Sequence, residues 1–439
     1  MKSYFNLNVS RTVRHTGYLF WTLVTQVVDS GISRVVFYPL LVYLIGKEEF
    51  GVFAIAQSVV LIIGATPADG LMTGLLRHTA HYPKERHNQF YHTAMRLNHI
   101  AMVIIIALGL AVIGILWQTT LVPHQLLKCL VPLVLSLYTE NQFVLVFTEL
   151  RYNREFRTGA LWFGLKSSCS VLAGLTGAVL NGVVGAAWGY SAGLISAYIV
   201  LRLRRNYWMK TAYSVEMAKV LKAVWLHITV AGIIAFSGPY LNRIFLSASH
   251  GFADVAELVA ATSVLTIFTM LIANFGSMVL SVISKYRSVM EISNRVKMQY
   301  LALTGTAILV TPVITIFFGP LLLRIMFPAI FEDSLKLFYI VVWSLPFLIL
   351  TQLMRPIVLK FASVRITPII NGLSLAGTLL STVTLVPKYQ AVGAAWAVVL
   401  GVVIGGLLWF GAALRVLLVK SSVESRESLN ENGFPEKTY

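Results

Sequence analysis

The sequence predicts an all-α integral membrane protein with about twelve transmembrane helices, arranged as two parallel-repeat six-helix bundles around a central lumen. Three observations predict this fold. Hydrophobic residues make up 57% of the 439 residues and charged residues only 12%, about half of the roughly 25% usual in soluble domains. The chain contains twelve long apolar runs, and a pentapeptide of the sixth run recurs in the twelfth.

The apolar runs are long enough to cross a bilayer, which takes about 20 helical residues. The connecting segments are short, so the chain has no room for a folded soluble domain. This excludes a water-soluble enzyme. The predicted spans are approximately 16–45, 51–76, 97–117, 127–148, 160–180, 183–201, 223–248, 255–281, 299–323, 335–359, 367–386 and 391–418.

Positive charge is distributed unevenly between the two sides of this arrangement. The formal net charge is +17, and 28 of the 35 Lys and Arg residues fall on one side against 5 on the other. Because cytoplasmic loops carry an excess of Lys and Arg, we expect both termini to be cytoplasmic. The charge therefore orients the chain and does not indicate a nucleic-acid binder. Cys129 and Cys169 lie in apolar runs, which excludes a disulfide scaffold and a cysteine zinc site.

An internal repeat divides the chain into halves. Val184-Gly185-Ala186-Ala187-Trp188 recurs as Val392-Gly393-Ala394-Ala395-Trp396 at an offset of 208, and Ala56-Gln57-Ser58-Val59 is echoed by Ala261-Thr262-Ser263-Val264 at an offset of 205. Since each half holds six spans, the halves share one orientation and are related by an axis along the membrane normal. The predicted division is 1–210, 211–420 and a disordered cytoplasmic tail at 421–439.

Small residues recur every four positions around both copies of the pentapeptide. Residues four apart share a helix face, and a face of small residues lets a neighbouring helix approach closely. We therefore expect bundle packing at Gly185, Gly189, Gly193, Gly393 and Gly401.

Polar side chains inside the spans are the candidate lumen residues. In the first span Gln26 and Asp29 share a polar face with Arg34 at its border, and an ionisable residue in hydrocarbon is expected to face protein or a water-filled cavity. The alternative is that Asp29 and Arg34 neutralise each other or reach the interface. Thr262, Thr266 and Thr269 share a face of the eighth span, a pattern more often due to packing. Further candidates in other spans are Asp69, Glu140, Arg243 and Arg355.

Motifs for covalent, nucleotide or metal chemistry do not occur. The sequence has no P-loop, no Gly-rich dinucleotide turn and no H-E-x-x-H. His78 and His81 could share a helical face and bind a metal, but a solvated basic loop is the more ordinary interpretation. We therefore expect no cofactor and no metal. Any energy would come from an ion gradient, with H⁺ and Na⁺ both open, or from consumption of the transported product.

Several segments resemble the multidrug/oligosaccharidyl-lipid/polysaccharide (MOP) flippase superfamily, and in particular its polysaccharide-exporter branch, which includes O-antigen (Wzx-type) flippases. The resemblance covers about residues 10 to 418. Its diagnostic segments are Pro39-Leu40-Leu41-Val42-Tyr43-Leu44-Ile45-Gly46 with Glu49-Phe50-Gly51-Val52-Phe53, Leu241-Asn242-Arg243-Ile244-Phe245-Leu246, Leu322-Leu323-Arg324-Ile325-Met326-Phe327, and Gln390-Ala391-Val392-Gly393-Ala394-Ala395-Trp396.

The resemblance implies a transporter of the bacterial inner membrane that is not an enzyme. It implies translocation of undecaprenyl-pyrophosphate-linked oligosaccharide from the cytoplasmic to the periplasmic leaflet, with membrane lipid and the polymerase of glycan assembly as partners. A cation-coupled multidrug exporter of the same fold is the alternative, binding organic cations through Asp29, Asp69 or Glu140. A membrane scaffold in a glycan-assembly complex is a third hypothesis. The sign of charge in the lumen discriminates the first two, since pyrophosphate requires cations and drug cations require acids.

Overall fold

The computed structural model describes residues 20–21, 24–25, 27–64, 66–78, 83–120, 122–153, 155–205, 213–283, 289–292, 294–362 and 365–431, and the side chains of most of these. Over these ranges the chain is helical and contains no strand. A π-helical segment, α1, opens the fold. The helices are α1 Val27–Phe37, α2 Tyr38–Gly64, α3 Thr66–His78, α4 Lys84–Trp117, α5 His124–Tyr152, α6 Phe156–Arg205, α7 Val215–His250, α8 Phe252–Ile283, α9 Asn294–Met326, α10 Phe331–Val341, α11 Leu345–Phe361 and α12 Ile366–Glu431.

The twelve predicted spans correspond to these helices once the backbone breaks are considered. In the described part of the chain, eight helices are long and apolar enough to cross a membrane, or nine if α2 and α3 together form one bent span. Two of them, α6 and α12, are hairpins that contain two predicted spans each, and α2 is broken at Gly46. The all-α transmembrane prediction is confirmed.

Four backbone breaks occur at repeat-related positions. Gly46 (φ 79°) and Gly251 (φ 97°) are 205 residues apart, and Gly182 (φ 54°) and Gln390 (φ 52°) are 208 apart. These are the two offsets of the sequence repeat. Positive φ suits glycine because it has no Cβ. The breaks therefore give structural support to the repeat, whereas the boundaries at 210/211 and 420/421 remain predictions. Helix α12 ends at Glu431, within the predicted tail, and residues 432–439 lie outside the described ranges.

The small-residue stripes pack the two arms of each hairpin together. A Cβ on Gly185, Gly189 or Gly193 would overlap backbone carbonyls of the first arm of α6, and one on Gly393 or Gly401 would overlap the facing arm of α12. The contact is within a hairpin rather than between distant helices. Glycine at these positions is what allows the arms to approach this closely.

We call α1–α6 the N lobe and α7–α12 the C lobe. The end of the molecule at which α4 and α7 begin is named the basic end, since the exposed side chains of Arg86, Arg204, Lys219 and Arg365 lie there. The four breaks lie at the opposite end. A buried apolar core that extends from α2 to α8 joins the two lobes, with Phe50, Phe53 and Leu258 among its members.

The lobes meet at both ends. At the opposite end Gly51 of α2 lies directly against the backbone of Phe252 in α8, and Lys47 forms an ion pair with Glu257 at 3.4 Å. At the basic end Gly70 of α3 faces Trp225 of α7, and the Trp225 indole donates a 3.0 Å hydrogen bond to the Pro67 carbonyl. The space between the lobes is thus bounded at each end by a contact between them.

Candidate functional site: a cationic centre between the lobes

Two arginines, one from each lobe, meet at the centre of the molecule. Arg34 of α1 donates a 2.7 Å hydrogen bond from Nη1 to the hydroxyl of Thr266 in α8. Arg243 of α7 donates from Nη2 to Thr262 of the same helix at 3.2 Å. The two guanidinium groups are close enough to interact electrostatically. Helix α8 therefore supplies the hydroxyl face against which both cations are held.

The arginines lie well inside the membrane-spanning region. At about 1.5 Å per helical residue, Arg243 is about 12 Å from the break at Gly251 and Arg34 about 18 Å from the break at Gly46. A hydrocarbon core is about 30 Å thick, so the pair lies near its middle. Charges at this depth are expensive unless they face a cavity or a ligand.

Aromatic and amide groups complete the cluster. The Tyr38 hydroxyl of α2 donates to the Gln57 amide oxygen and lies within electrostatic range of both arginines and of Tyr240. The Arg243 guanidinium also stacks over the Tyr240 ring at 5.2 Å, a favourable cation–π contact. The arginines are thus oriented by neutral partners.

The repeat explains part of this arrangement. Tyr38 and Arg243 are 205 residues apart, as are Gln57 and Thr262. The hydrogen bond from Tyr38 to Gln57 in the N lobe is therefore the counterpart of that from Arg243 to Thr262 in the C lobe. The same contact is neutral in one lobe and cationic in the other.

The centre is cationic over the side chains that the structure describes. Neither Arg34 nor Arg243 forms an ion pair with any of them. Among the described side chains, the partners of the two guanidinium groups are hydroxyl and aromatic groups, so their remaining N–H donors are available to a ligand. An anion with several oxygens, such as a phosphate ester, matches such a pair.

A second charged pair lies between the lobes nearer the basic end. Asp69 of α3 and Arg355 of α11 interact electrostatically, although no direct contact joins them. Arg355 has an exposed side chain in a helix that packs against α8, α9 and α12. The two residues belong to different lobes, and their place in a lumen remains a prediction.

Glu140 lies apart from the central cluster. Its carboxylate forms an ion pair with Lys166 at 3.1 Å, entirely within the N lobe. Lys166 is only 7% exposed and packs over the rings of Phe163 and Phe143 at 4.8 and 5.7 Å. Lys166 lies in the fifth predicted span, 160–180, which falls in the first arm of α6.

The structure thus brings Arg34 and Arg243 together, pairs Asp69 with Arg355, and separates Glu140 from both. The side chains of Gln26 and Asp29 lie outside the described set, as does His81 of the candidate histidine pair. Sequence reasoning did not select Tyr38, Gln57 or Tyr240. The offset of 205 was the available signal, because it pairs Gln57 with Thr262 and Tyr38 with Arg243.

Comparison with solved structures shows the same fold in several membrane transporters. A structure described as the lipid II flippase MurJ in an inward closed conformation has a TM-score of 0.70 at 15% identity and covers 96% of this chain and 93% of its own. An inward-facing multidrug resistance MATE transporter of the MOP superfamily scores 0.62 at 14% identity, over 92% and 96%. A MOP superfamily transporter from Pyrococcus furiosus, described as having a binding pocket of reverse polarity, scores 0.68 at 14% identity, over 92% and 96%.

The helical architecture is the one found in transporters of the MOP superfamily, as the sequence resemblance predicted. Residues 18–286 match the model of the polysaccharide biosynthesis protein family, more than half of the chain, and the protein belongs to that family. A search of curated proteins finds no match to this sequence.

Proposed function

We propose that this protein moves an undecaprenyl-pyrophosphate-linked oligosaccharide across the bacterial inner membrane for surface polysaccharide biosynthesis, such as O-antigen or capsule. The observation that carries the proposal is the pair Arg34 and Arg243, contributed by opposite lobes and without an acidic partner among the described side chains. A pyrophosphate is a dianionic or more highly charged group with oxygens suited to guanidinium donors. An organic cation would be repelled from this centre.

The direction of transport follows from the orientation. With the basic end at the cytoplasm, as the excess of Lys and Arg indicates, the substrate enters between α3 and α7 and leaves between α2 and α8. The polyprenyl chain stays in lipid while the head group passes the arginines. Rocking of the two lobes around a fixed site is the movement expected of a parallel-repeat transporter.

The arginines also connect the ligand to the movement. Arg34 reaches from the N lobe to Thr266 of the C lobe at 2.7 Å, so a pyrophosphate that takes over the guanidinium donors would remove this link between the lobes. A ligand shifts a two-state equilibrium only through differential contacts with the two states. Exchange of the Thr266 contact for a phosphate contact is such a difference.

The proposal is tested in a strain whose surface glycan depends on this protein. Arg34→Ala is expected to abolish export with normal protein levels, and Arg34→Lys to restore it only in part, because lysine has no bidentate donor geometry. Arg324→Ala is the matched control, since that exposed cation lies at the end of α9. Normal surface glycan in Arg34→Ala would contradict the proposal.

Ligand binding to the purified protein distinguishes the flippase proposal from the multidrug alternative. Undecaprenyl pyrophosphate is expected to bind wild type and to lose affinity in both Arg34→Ala and Arg243→Ala, whereas ethidium is expected not to bind. Saturable ethidium binding that requires Asp69 would instead support the exporter. Loss of surface polymer with retained lipid-linked precursor would place the protein before the polymerase, which we propose as its partner in glycan assembly.

A further inference from the structure

A second polar cavity lies inside the N lobe, away from the centre between the lobes. It has a volume of about 210 Å³ and is formed by α4, α5 and the second arm of α6. The polar side chains lining it are His99, Tyr138, Gln142, Tyr198 and Arg202. None of its lining residues is Asp or Glu. The transport cycle proposed above assigns no role to this cavity.

The cavity lies where the helices cross the boundary between water and hydrocarbon at the basic end. Helix α4 is polar from Lys84 to Arg96 and apolar from Ile100 onward, so His99 lies at the transition. Arg202 lies in the last turn of α6, where the sequence becomes Arg-Leu-Arg-Arg. A lipid phosphate is located at this depth of a bilayer.

The side chains that flank the cavity indicate access from the lipid side. The neighbouring side chains on the outer faces of α4 and α6, Ile100, Val103, Ile199 and Leu203, are large, apolar and exposed. Exposed aliphatic side chains on a membrane helix face acyl chains. A molecule that reaches the cavity from this side is therefore a lipid.

Its polar groups form a connected set of donors. Arg202 donates to the Tyr198 hydroxyl at 3.5 Å, the hydroxyls of Tyr198 and Tyr138 are close enough to interact, and the Tyr138 hydroxyl lies 3.1 Å from Nδ1 of His99. The rings of Tyr138 and Tyr198 meet edge to face at 6.0 Å, which fixes both hydroxyls. A guanidinium beside two phenols is suited to the oxygens of a phosphate diester.

Gln142 adds a requirement for a donor on the ligand. It is only 1% exposed, lines the cavity, and its buried Oε1 has no hydrogen-bond partner within the described part of the chain. A buried acceptor without a partner costs about 1–3 kcal/mol. A ligand hydroxyl or ammonium group at this oxygen would satisfy it.

We infer that this cavity binds the headgroup of a glycerophospholipid from the leaflet at the basic end, with its phosphate at Arg202 and a headgroup hydroxyl or ammonium group at Gln142. Phosphatidylglycerol carries both features. Phosphatidylcholine carries the phosphate without a donor. The site is separate from the translocation path, so bound lipid acts on the N lobe from its outer surface.

The test uses the full-length protein in detergent, titrated with phosphatidylglycerol and followed by native mass spectrometry and thermal unfolding. Wild type is expected to form a saturable one-to-one adduct and to gain thermal stability. Arg202→Ala is expected to weaken binding about tenfold, equivalent to about 1.4 kcal/mol. Arg204→Ala is the matched control because it removes an exposed cation from the same turn. Tyr198→Phe, a smaller change, is expected to weaken binding in the same direction.

Several outcomes would overturn the inference. One is an equal loss of phosphatidylglycerol affinity in Arg202→Ala and Arg204→Ala. The others are that phosphatidylcholine binds as tightly as phosphatidylglycerol, or that inorganic phosphate raises the thermal stability as much as phosphatidylglycerol does. Loss of the adduct in Arg34→Ala would place the lipid in the central lumen and also overturn it. Because Arg34→Ala is expected to abolish export yet retain the adduct, failure of the transport proposal and failure of this one are distinguishable.

Discussion

Lys166 shows how a cation can be held inside a lobe without contributing to the lumen. Its ammonium group is enclosed by Glu140, Phe143 and Phe163, so its charge is balanced locally. Position along the chain places Lys166 in the fifth predicted span, and only the packing of α5 against α6 reveals the pair. Sequence reasoning selects buried charges by type and depth. It cannot assign their partners, because these are brought together by the packing of different helices.

Removal of one partner of this pair is expected to destabilise the protein more than removal of both. Glu140→Gln leaves a lysine inside the lobe without its counter-charge, at a cost of about 1–3 kcal/mol, toward the lower value because Glu140 is 34% exposed. Glu140→Gln with Lys166→Met is expected to recover most of the loss. Thermal unfolding of the three purified proteins measures this. A double variant less stable than the single one would argue against the local pair.

Gln390 has a backbone conformation that is unfavourable for a residue with a Cβ. Its φ of 52° occurs at the break of α12, where the equivalent break of α6 has Gly182. Such backbone strain costs of order 1–3 kcal/mol in a residue with a Cβ. Gln390→Gly is therefore expected to raise the unfolding temperature with transport unchanged. Gln390→Val is the opposing control and is expected to lower it.

At the scale of elements, the contacts between α2 and α8 and between α3 and α7 are the two closures of the lumen. Both rely on glycine, at Gly51 and at Gly70, opposite a bulky residue of the other lobe. The twelve spans and the repeat were predictable because hydropathy and residue identity are local. The two closures were not predictable from the sequence, since glycine is common in membrane helices and the residue that each glycine contacts depends on the arrangement of the lobes.

A larger side chain at Gly51 is expected to hold the opposite end open. The Cβ of Gly51→Val would overlap the Phe252 backbone, which cannot move as a side chain can. A cysteine introduced between the lobes is then expected to react faster with a membrane-impermeant thiol reagent added from the periplasm. Gly114→Val is the matched control because no atom lies near its Cβ position. Equal labelling of the two variants would show that Gly51 does not limit closure.

Most of the Lys and Arg residues of the whole molecule fall on the side of the basic end, while several acids gather at the other end, which we call the acidic end. Lys47 joins Glu257 there at 3.4 Å across the lobes, with Asp254 and Asp333 within electrostatic range of Glu257. The anionic head group of the proposed substrate would be attracted at the basic end and repelled by the acids beyond the arginines. Such a gradient favours release at the acidic end.

Locking the acidic end is expected to stop transport. With cysteines at positions 47 and 257, a short bifunctional thiol reagent should join the lobes where the ion pair now lies. Export of glycan should cease on treatment in Lys47→Cys/Glu257→Cys but continue in either single variant, which controls for Cys129 and Cys169. Continued export by a fully cross-linked protein would show that this end does not open.

Tyr38 is neutral whereas Arg243, at the equivalent position of the repeat, is cationic, and this difference affects the orientation in which a head group binds. A lumen with exact two-fold symmetry would accept a charged ligand in two poses half a turn apart. Here only one of the two equivalent positions carries a guanidinium, so one pose is favoured. With the proposed substrate, the prenyl tail would then always emerge on the same flank of the protein, and that flank would be determined by a single divergence between two copies of one repeated motif.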